Sequence, residues 1–425
     1  MRIGLREDYL HFLFEKKILG SSFVSTKGKV IDIIHFGERN DNAGPDFLDC
    51  VVRIDGQKWA GPIEFHLKAS DWFKHKHQHD PTYDNVIAHF VYENDSDIST
   101  RGYELPAVEL SEKIDFYHYQ NYIKILNSNN VIPCSKQIGF VPVALIDEEK
   151  EKQLQKRLWY KSIEVLKLLE QYNGDVSKLK RVLLVRVFGG KVNQQPFEML
   201  AEKITNRELR RLIGKDLEME AFLFGRSNLL VDVKNIDDRF YELKRAYEHH
   251  CRLFGDQTIQ LGWKYSRMRP SGFPDLKIAQ LAKALARIQD MPSWQEGDIR
   301  FAFQNWLSFE MDAYWTCRYR LGGEQQKRKR HELSADFIDL ILINAVVPYL
   351  FSIGYAQGRE DLKRKAKELL KSIPPENNKI VRQWNRLKMN SESAYDSQSF
   401  LALQKQGCNQ KKCLLCRIGK EVLNK

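Results

Sequence analysis

The sequence predicts an α+β protein in which a mixed-sheet module comes first, a large helical domain follows, and a cysteine-bearing tail ends the chain. The first ~120 residues alternate as strands do after one leading helix, whereas most later segments have a helical period. A length of 425 residues is enough for two or three domains. We therefore predict an α+β module over residues 1–135, a helical domain over 140–375 and a tail over 376–425.

The N-terminal module begins with an amphipathic helix predicted over residues 5–19. Four later segments have the β-branched and aromatic composition of strands: Val30–Ile34, Phe47–Ile54, Trp59–Leu67 and Val86–Tyr92. Between the last two, the segment from Asp71 to Tyr83 is polar and rich in histidine, which predicts a loop or a short helix.

The helical domain is predicted from apolar residues at helical spacing between short polar or Gly/Pro connections. The segments are Ile146–Gln171, Val176–Phe188, Pro196–Thr205, Asn206–Ile213, Glu218–Leu229, Asp237–Phe254, Leu276–Ile288, Gly297–Tyr314, Ser334–Phe351 and Glu360–Ser372.

The net charge and the amino-terminal sequence indicate which partners and which cellular location to expect. A formal charge of +11 favours an anionic partner such as nucleic acid. The amino terminus lacks the uninterrupted apolar run of a signal peptide, and no later stretch is expected to reach the ~20 apolar residues of a membrane span. We expect a cytoplasmic protein that does not enter a membrane.

The chemistry of the N-terminal module is concentrated on one predicted strand. Side chains alternate along a strand, so Glu64, His66 and Lys68 share one face while Phe65 and Leu67 point into the core. Asp46, after Gly44-Pro45, begins the preceding strand. These four polar residues are the candidate catalytic group.

The register of the hairpin decides whether Asp46 reaches Glu64. A two-residue Asp55-Gly56 loop sets Phe47 opposite Glu64, whereas a three-residue loop from Ile54 to Gly56 sets Asp46 there. A bulge at Gly61-Pro62 achieves the same correction. The site hypothesis requires one of these two.

The motif Pro45-Asp46, followed after a gap by Glu64-x-His66, resembles a variant of the PD-(D/E)XK nuclease signature. In that family the acidic pair holds Mg²⁺ and a lysine helps to position the attacking water. Here His66 stands in place of the lysine, and Lys68 follows on the same face. The resemblance implies a nuclease-like module with Mg²⁺ or Mn²⁺ at Asp46 and Glu64.

A second interpretation of the same region rests on its histidines, since eight of the chain's eleven lie within the first 118 residues. Histidine-rich sites suit Zn²⁺ or Mn²⁺. His66, His75, His77, His79 and Asp80 are the candidate ligands, with His75, His77 and Asp80 as the centre of a metal-dependent hydrolase of another substrate class.

The tail carries a cluster of three cysteines with the spacing CxxxxCxxC, formed by Cys408, Cys413 and Cys416. Three thiolates are one short of a closed zinc or iron–sulfur site, so Cys251, Cys317 or a histidine must complete it. We predict a structural metal site, with zinc favoured over an iron–sulfur cluster.

A loop of alternating cations and aromatic residues, from Trp263 to Pro274, is the candidate nucleic-acid contact. Lys264, Arg267 and Arg269 are its basic residues. The alternative for this loop is an interdomain connection whose arginines pair with helix carboxylates or helix C-termini.

Six sequence blocks along nearly the whole chain resemble an uncharacterised bacterial family known as a domain of unknown function. The blocks are GPDF, ExH, SDWxxHxH, FGRSNLL, RMRPSGFP and CxxxxCxxC. This second resemblance supplies no activity. The PD-(D/E)XK-like motif and the net charge favour metal-dependent cleavage of nucleic-acid phosphodiesters. The rivals are an inactive nucleic-acid-binding protein of the same fold, the histidine-centred hydrolase, and a helical interaction scaffold.

Overall fold

A computed structural model of the chain describes residues 4–40, 42–231 and 233–424. The chain divides into two compact units. The first consists of residues 1–149 and 403–425, and the second of residues 150–402. The sequence-based division instead kept 376–425 together as a tail. The last 23 residues join the first unit because Cys413, Leu414 and Leu423 are buried in its hydrophobic core.

The first unit is built on a mixed sheet of seven strands, which confirms the expected α+β class. Its strands are β1 (Ser22–Val24), β2 (Val30–His35), β3 (Glu38–Arg39), β4 (Phe47–Ile54), β5 (Gln57–Lys68), β6 (Ala88–Glu93) and, after a separate β7–β8 pair (Ser99–Thr100, Tyr103–Glu104), β9 (Ala107–Glu109). The order is β1-β2-β4-β5-β6-β9, with β3 beside β4. Strands β5, β6 and β9 run parallel to one another, and the remaining pairs are antiparallel.

Three helices accompany this sheet: α1 (Glu7–Glu15), α2 (Asp71–Lys74) and α3 (Phe116–Leu126). Helix α1 is shorter than predicted because Lys17 takes a left-handed conformation just after it. Phe14 of α1 packs against Phe47, Phe65 and Phe90 of the sheet, with ring centroids 4.8–5.5 Å apart. The prediction that Phe65 points into the core is therefore confirmed.

The parallel pairing of β5 with β6 requires a crossover connection, and this connection carries the histidine-rich segment. It contains α2, two short 3-10 turns at His77–His79 and Pro81–Tyr83, and the buried Trp72. Gly61 of β5 allows the close approach of the chain entering β6, since a Cβ there would lie 2.7 Å from the Asn85 carbonyl oxygen.

The second unit is helical, as expected. The helices that follow α3 are α4 (Val143–Gln171), α5 (Val176–Phe188), α6 (Gln194–Glu202), α7 (Asn206–Leu212), α8 (Asp216–Arg226), α9 (Asp238–Phe254), α10 (Pro274–Ala286), α11 (Ile299–Trp306), α12 (Ala335–Ile341), α13 (Val347–Ala356), α14 (Glu360–Ser372), α15 (Lys379–Arg386) and α16 (Ala394–Gln406), and α17 (Arg417–Leu423) ends the first unit. The predicted helix Gly297–Tyr314 is wrong in length, because α11 ends at Trp306 and the chain continues without helix to Leu333.

One helical stretch corrects the expectation that no segment reaches the length of a membrane span. Ala335–Ala356 comprises α12, a π-helical turn at Leu342–Val346, and α13, and it is long and apolar enough by composition. Of its most apolar window, 83% is buried inside the protein. The π turn immediately precedes Pro348, whose missing N–H and ring disturb regular helical bonding.

Candidate functional site

The antiparallel pairing of β4 with β5 brings Asp46 beside Glu64, as the site hypothesis requires. The turn is the two-residue Asp55-Gly56 form, both residues having positive φ. The register then shifts within β4 between Phe47 and Cys50, where Asp49 is left-handed with φ +56°. The longer loop is therefore wrong, and the register is corrected by a bulge opposite Gly61-Pro62, with the extra residue in β4.

Hydrogen bonds hold the two carboxylates at the mouth of this strand pair. The Asp46 backbone N–H donates to Glu64 Oε2 at 3.0 Å, and the Phe65 N–H donates to Asp46 Oδ2 at 2.9 Å. Glu64 is 4% exposed. Burial, and then the neighbouring charge of Asp46, raises the pKa of Glu64 to about 9. Glu64 is thus buried beside the half-buried Asp46, in an environment that disfavours its charged form.

Four histidine rings gather on this side of β5, two of them beside Glu64 and two beside His66. His66 Nδ1 is 2.8 Å from His89 Nε2, and His66 Nε2 is 3.0 Å from His75 Nδ1. Glu64 Oε1 lies 3.4 Å from His77 Nε2 and 3.7 Å from His66 Nε2. His66, His75, His77 and His89 thus form a histidine cluster beside the buried carboxylate of Glu64.

The crossover segment positions His77 within this cluster. Trp72 is 1% exposed, and its ring contacts those of His77 and Tyr83 edge to face. The Tyr83 ring stacks on His77 with centroids 3.8 Å apart. Lys76 adopts a left-handed conformation, which reverses the chain between His75 and His77. Rigid packing of this kind fixes the direction of a ligand ring.

The imidazoles of His66, His77 and His89 are held in the neutral form. Burial is the largest cause, and the charges of neighbouring histidines add to it, so that the pKa falls to about 2 for His66 and about 4 for His77. The pKa of His89 is also lowered to about 4, first by burial and then by His77. A neutral imidazole has a free lone pair, which is the form that binds a metal ion.

The geometry of His66, His75 and His77 fits a metal ion. One nitrogen from each of the three rings lies within 4.8 Å of the others. Among the residues that the structure describes, His77 Nε2 is buried and has no hydrogen-bond partner, although it lies beside Glu64. A ring bond from His66 Nδ1 to His89 leaves Nε2 of His66 to face the same space. Three imidazoles therefore converge, and Glu64 Oε1 lies beside two of them.

Helix α1 adds two residues that the sequence analysis did not assign to the site. His11 Nε2 lies 3.1 Å from Asp46 Oδ2, and Arg39 donates a 3.3 Å hydrogen bond to His11 Nδ1. Burial raises the pKa of Glu7 to about 7, with Asp46 among the smaller causes. Glu7 and His11 are four residues apart and so lie on one face of the helix. This spacing could be seen in the sequence, but it does not identify Asp46 as the partner of that face.

Lys68 and Asp80 were predicted at the site and engage other partners instead. Lys68 Nζ lies 3.3 Å from Glu93, the residue opposite it on β6, and both side chains are about half exposed. Asp80 is exposed and accepts hydrogen bonds from the backbone and hydroxyl of Thr82, which lower its pKa. Asp80 thus caps the Pro81–Tyr83 turn, and His66, not Asp80, joins His75 and His77.

The basic loop of the second unit is exposed at its three candidate residues, Lys264, Arg267 and Arg269. Its backbone is anchored where Asn193 donates to and accepts from the peptide groups of Lys264 at 2.8 and 2.9 Å. The Tyr265 hydroxyl donates to Asp275 at 2.5 Å. The loop therefore presents cations from a fixed backbone.

The three tail cysteines lie in consecutive short turns of the first unit. Cys408 begins the Cys408–Gln410 turn, Cys413 begins the Cys413–Leu415 turn, and Cys416 precedes α17. Cys251 and Cys317, considered as a fourth ligand, belong to the second unit.

The α+β unit thus gathers two carboxylates and a group of histidines, and a helical unit follows it in the chain. The chain belongs to the family described as protein of unknown function (DUF2851), whose model matches residues 7–379. This confirms the predicted family, and the cysteine block lies beyond the matched residues. No curated protein and no solved structure matches the chain.

Proposed function

We propose that the protein is a metal-dependent hydrolase that cleaves nucleic-acid phosphodiesters with the site formed by Asp46, Glu64, His66, His75 and His77. The observation that carries this proposal is the buried carboxylate of Glu64, which lies within 3.7 Å of two neutral imidazoles and hydrogen-bonds to the backbone of Asp46. Buried carboxylates are normally paired with a cation or bound to a metal. Here the adjacent groups are metal ligands.

The ligand set guides the choice of metal. Three imidazoles with one carboxylate suit Zn²⁺ or Mn²⁺ better than Mg²⁺, which prefers oxygen ligands and retains its waters. Asp46 supplies a second carboxylate beside the first. We therefore favour Zn²⁺ or Mn²⁺, with Glu64, His66, His75 and His77 as the ligands.

A metal bound here supplies a polarised phosphate oxygen and an acidified water. The residues of the chain complete the chemistry. His89 fixes the ring orientation of His66 through a 2.8 Å hydrogen bond, while His11, 3.1 Å from Asp46 Oδ2, is placed to orient that carboxylate or to exchange a proton with it. The half-buried Glu7, whose pKa is about 7, is a further proton acceptor near Asp46.

Nucleic acid is the proposed substrate class because of charge and loop chemistry. The net charge is +11, and Lys264, Arg267 and Arg269 are exposed on one anchored loop. The nuclease likeness of the first unit is supported by three features: a leading helix, an antiparallel hairpin that pairs Asp46 with Glu64, and the following parallel strand β6.

A second candidate function is nucleic-acid binding without cleavage. The observation that favours it is the position of the cations: Lys68 pairs with Glu93, and His66, at the place of the family lysine, is buried and neutral. Neither Lys68 nor His66 is therefore available to stabilise the developing negative charge of a phosphodiester, which leaves that task to a metal and to Arg39 beside His11.

The test is cleavage of labelled single- and double-stranded DNA and RNA with Zn²⁺, Mn²⁺ or Mg²⁺. We expect metal-dependent cutting that falls by roughly 100-fold or more in Glu64→Gln and in Asp46→Asn, because each change removes a carboxylate from the site. Asp80→Asn, an exposed carboxylate of the same crossover, is the matched control and should cut as the wild type does.

Cutting that survives both substitutions would contradict the proposal. Binding of nucleic acid without cutting under any metal would support the second candidate function instead.

A further inference from the structure

The second unit has a groove between α4, α13 and α14, with a volume of about 650 Å³. Every residue that lines it belongs to this unit, so the groove is complete within one compact body. Its walls combine exposed aromatic rings with positive charges. The residues that give it this character are Trp159, Tyr355, Lys156, Lys363, Arg364 and Lys367.

The two helices on one side of the groove pack closely against each other. Gly354 of α13 makes this possible, because an added Cβ there would lie 2.9 Å from the Arg359 carbonyl oxygen and 2.9 Å from Cγ of Lys363. The Arg359 N–H also donates a 2.8 Å hydrogen bond to the Gly354 carbonyl. Phe351, 7% exposed, ties the same helix to the hydrophobic core. The groove is therefore built on a fixed backbone, and the stem of Lys363 is held against α13.

Two aromatic rings of the groove are open to solvent. Trp159 of α4 is 41% exposed, and Tyr355 of α13 is 53% exposed. A groove with two exposed rings offers large apolar faces that a ligand can cover. Nucleobases stack on such rings, and they are free to do so only in an unpaired strand, because within a duplex their faces are already covered.

Positive charges outnumber carboxylates in the lining of the groove. Among its described lining residues, four are cationic and Glu360 is the one carboxylate. Lys363 contacts this carboxylate. Arg364 Nε lies 3.7 Å from Glu368 Oε1, and the two side chains are 72% and 63% exposed. Solvent screens such a pair strongly, so a phosphate oxygen competes well with the carboxylate for the guanidinium.

Two further lysines complete the charge of the groove. Lys367 of α14 contacts Glu151 of α4, which joins two of the helices that form the groove. Lys156 of α4 is exposed and, in the part of the chain that the structure describes, has no ion pair with a carboxylate. Even with the partner carboxylates outside the lining counted, the cations remain in excess. Lys156 is the cation most readily available to a phosphate.

We propose that this groove binds single-stranded nucleic acid, with unpaired bases stacked on Trp159 and Tyr355 and with phosphates beside Lys156 and Arg364. The choice of nucleic acid over another anion rests on the proposed function, to which the groove adds the form of the strand and a place of contact on the second unit. An acidic peptide would meet the cations but would lack flat rings to stack on the two exposed aromatic faces.

The test is binding of full-length protein to fluorescein-labelled oligo(dT) and oligo(U) of about 15 nucleotides, followed by fluorescence anisotropy. Chelator is present, so that metal-dependent cleavage takes no part. We expect Tyr355→Ala and Trp159→Ala each to weaken binding roughly tenfold, because each removes a stacking platform. Tyr241→Ala is the matched control, since this tyrosine of α9 is also 53% exposed but lies outside the groove, and it should bind as the wild type does.

The salt dependence of binding tests the cations. Lys156→Ala should reduce the slope of log K against log salt concentration by about 0.7, which is the contribution of one phosphate contact on a single strand. Lys167→Ala changes an exposed lysine of the same helix outside the groove and should leave the slope unchanged. An equal slope in Lys156→Ala and the wild type would remove Lys156 from the interface.

Tryptophan fluorescence covers the case in which an alanine variant fails to fold. The oligonucleotide should quench part of the wild-type emission, and Trp159→Phe, which keeps a ring, should bind but lose that part of the quenching. Quenching that is identical in the two proteins would overturn the stacking on Trp159.

Affinities for other polyanions complete the test. Binding of duplex DNA or of poly-glutamate as tightly as of the single strand would overturn the inference, as would unchanged affinity in both Tyr355→Ala and Trp159→Ala. The result is separable from the proposed cleavage. A wild type that binds single strands through this groove but cuts with no metal keeps the groove and overturns the cleavage, whereas metal-dependent cutting with unchanged binding in both groove variants does the reverse.

Discussion

Two buried glutamates, Glu64 in the first unit and Glu208 in the second, are satisfied in different ways. Glu208 is 1% exposed and binds the guanidinium of Arg226, and it accepts a 2.9 Å hydrogen bond from the Thr205 N–H. Burial alone raises its pKa, but hydrogen bonds from His250 and Thr205 and the charge of Arg226 outweigh burial and lower it to about 2.

Glu64 is almost as buried, at 4% exposure, but its neighbours are neutral histidines and Asp46. Its pKa is raised to about 9, first by burial and then by Asp46. The difference teaches that the chain gives Glu208 a cation, whereas Glu64 keeps its proton until, as we propose, a metal ion displaces it. A metal held by His66, His75 and His77 is that ion in our account.

The largest expected effect is on the free energy of unfolding, which should respond differently to substitutions at the two glutamate sites. Arg226→Ala should lower the free energy of unfolding by about 3–5 kcal/mol, because it leaves the charge of Glu208 buried and uncompensated. Glu64→Gln should leave the metal-free protein at least as stable as the wild type, because it removes a buried ionisable group without a protein cation. Urea unfolding with chelator present measures both changes. A large loss of stability in Glu64→Gln would show that Glu64 has a structural partner after all.

The next effect is the stabilisation of the folded protein by bound metal ions. Saturation of the wild type with Zn²⁺ or Mn²⁺ at about 100 times the dissociation constant should stabilise it by about 2.7 kcal/mol. His77→Ala should lose most of this gain, since its Nε2 is one of the three converging nitrogens. His79→Ala is the matched control on the same turn and should keep the gain. Thermal unfolding with and without metal measures each, and an equal gain in both variants would remove His77 from the site.

The effect of pH on stability has opposite signs at the two residues. The folded pKa of Glu64 is above its ordinary value, so the metal-free fold binds the extra proton and loses stability as pH rises from about 4.5 to about 9. The folded pKa of Glu208 is below its ordinary value, so its contribution is present above about pH 4.5 and is lost as pH falls toward 2.

Melting temperatures of chelated protein at pH 5 and pH 8 test the first sign. The wild type should fall relative to Glu64→Gln between these two values, by a few degrees for each ~1 kcal/mol. Parallel behaviour of the two proteins would mean that Glu64 ionises normally in the fold.

Local pattern was enough to predict the strands that carry the site. Glu64 and His66 were placed on one strand face, and Phe65 on the other, because side chains alternate along every strand. The need for a register correction also followed from residue counting. Its location did not, since a left-handed Asp49 depends on how β4 meets both of its neighbours.

Long-range contacts account for what sequence reasoning missed. Lys68 shares the face of Glu64, but the parallel register with β6 places Glu93 opposite it. His11 reaches Asp46 across a helix–sheet contact, although the two residues lie far apart along the chain. No spacing rule connects such residues, because only the packed fold brings them together.

The most direct measurement is anomalous X-ray diffraction from crystals of the protein soaked with Mn²⁺ or Zn²⁺. The account predicts an anomalous peak about 2.0–2.2 Å from a Glu64 oxygen and from the nitrogens of His66, His75 and His77. The contradicting result is density without an anomalous peak there, with Glu64 bound to a cationic side chain of the protein.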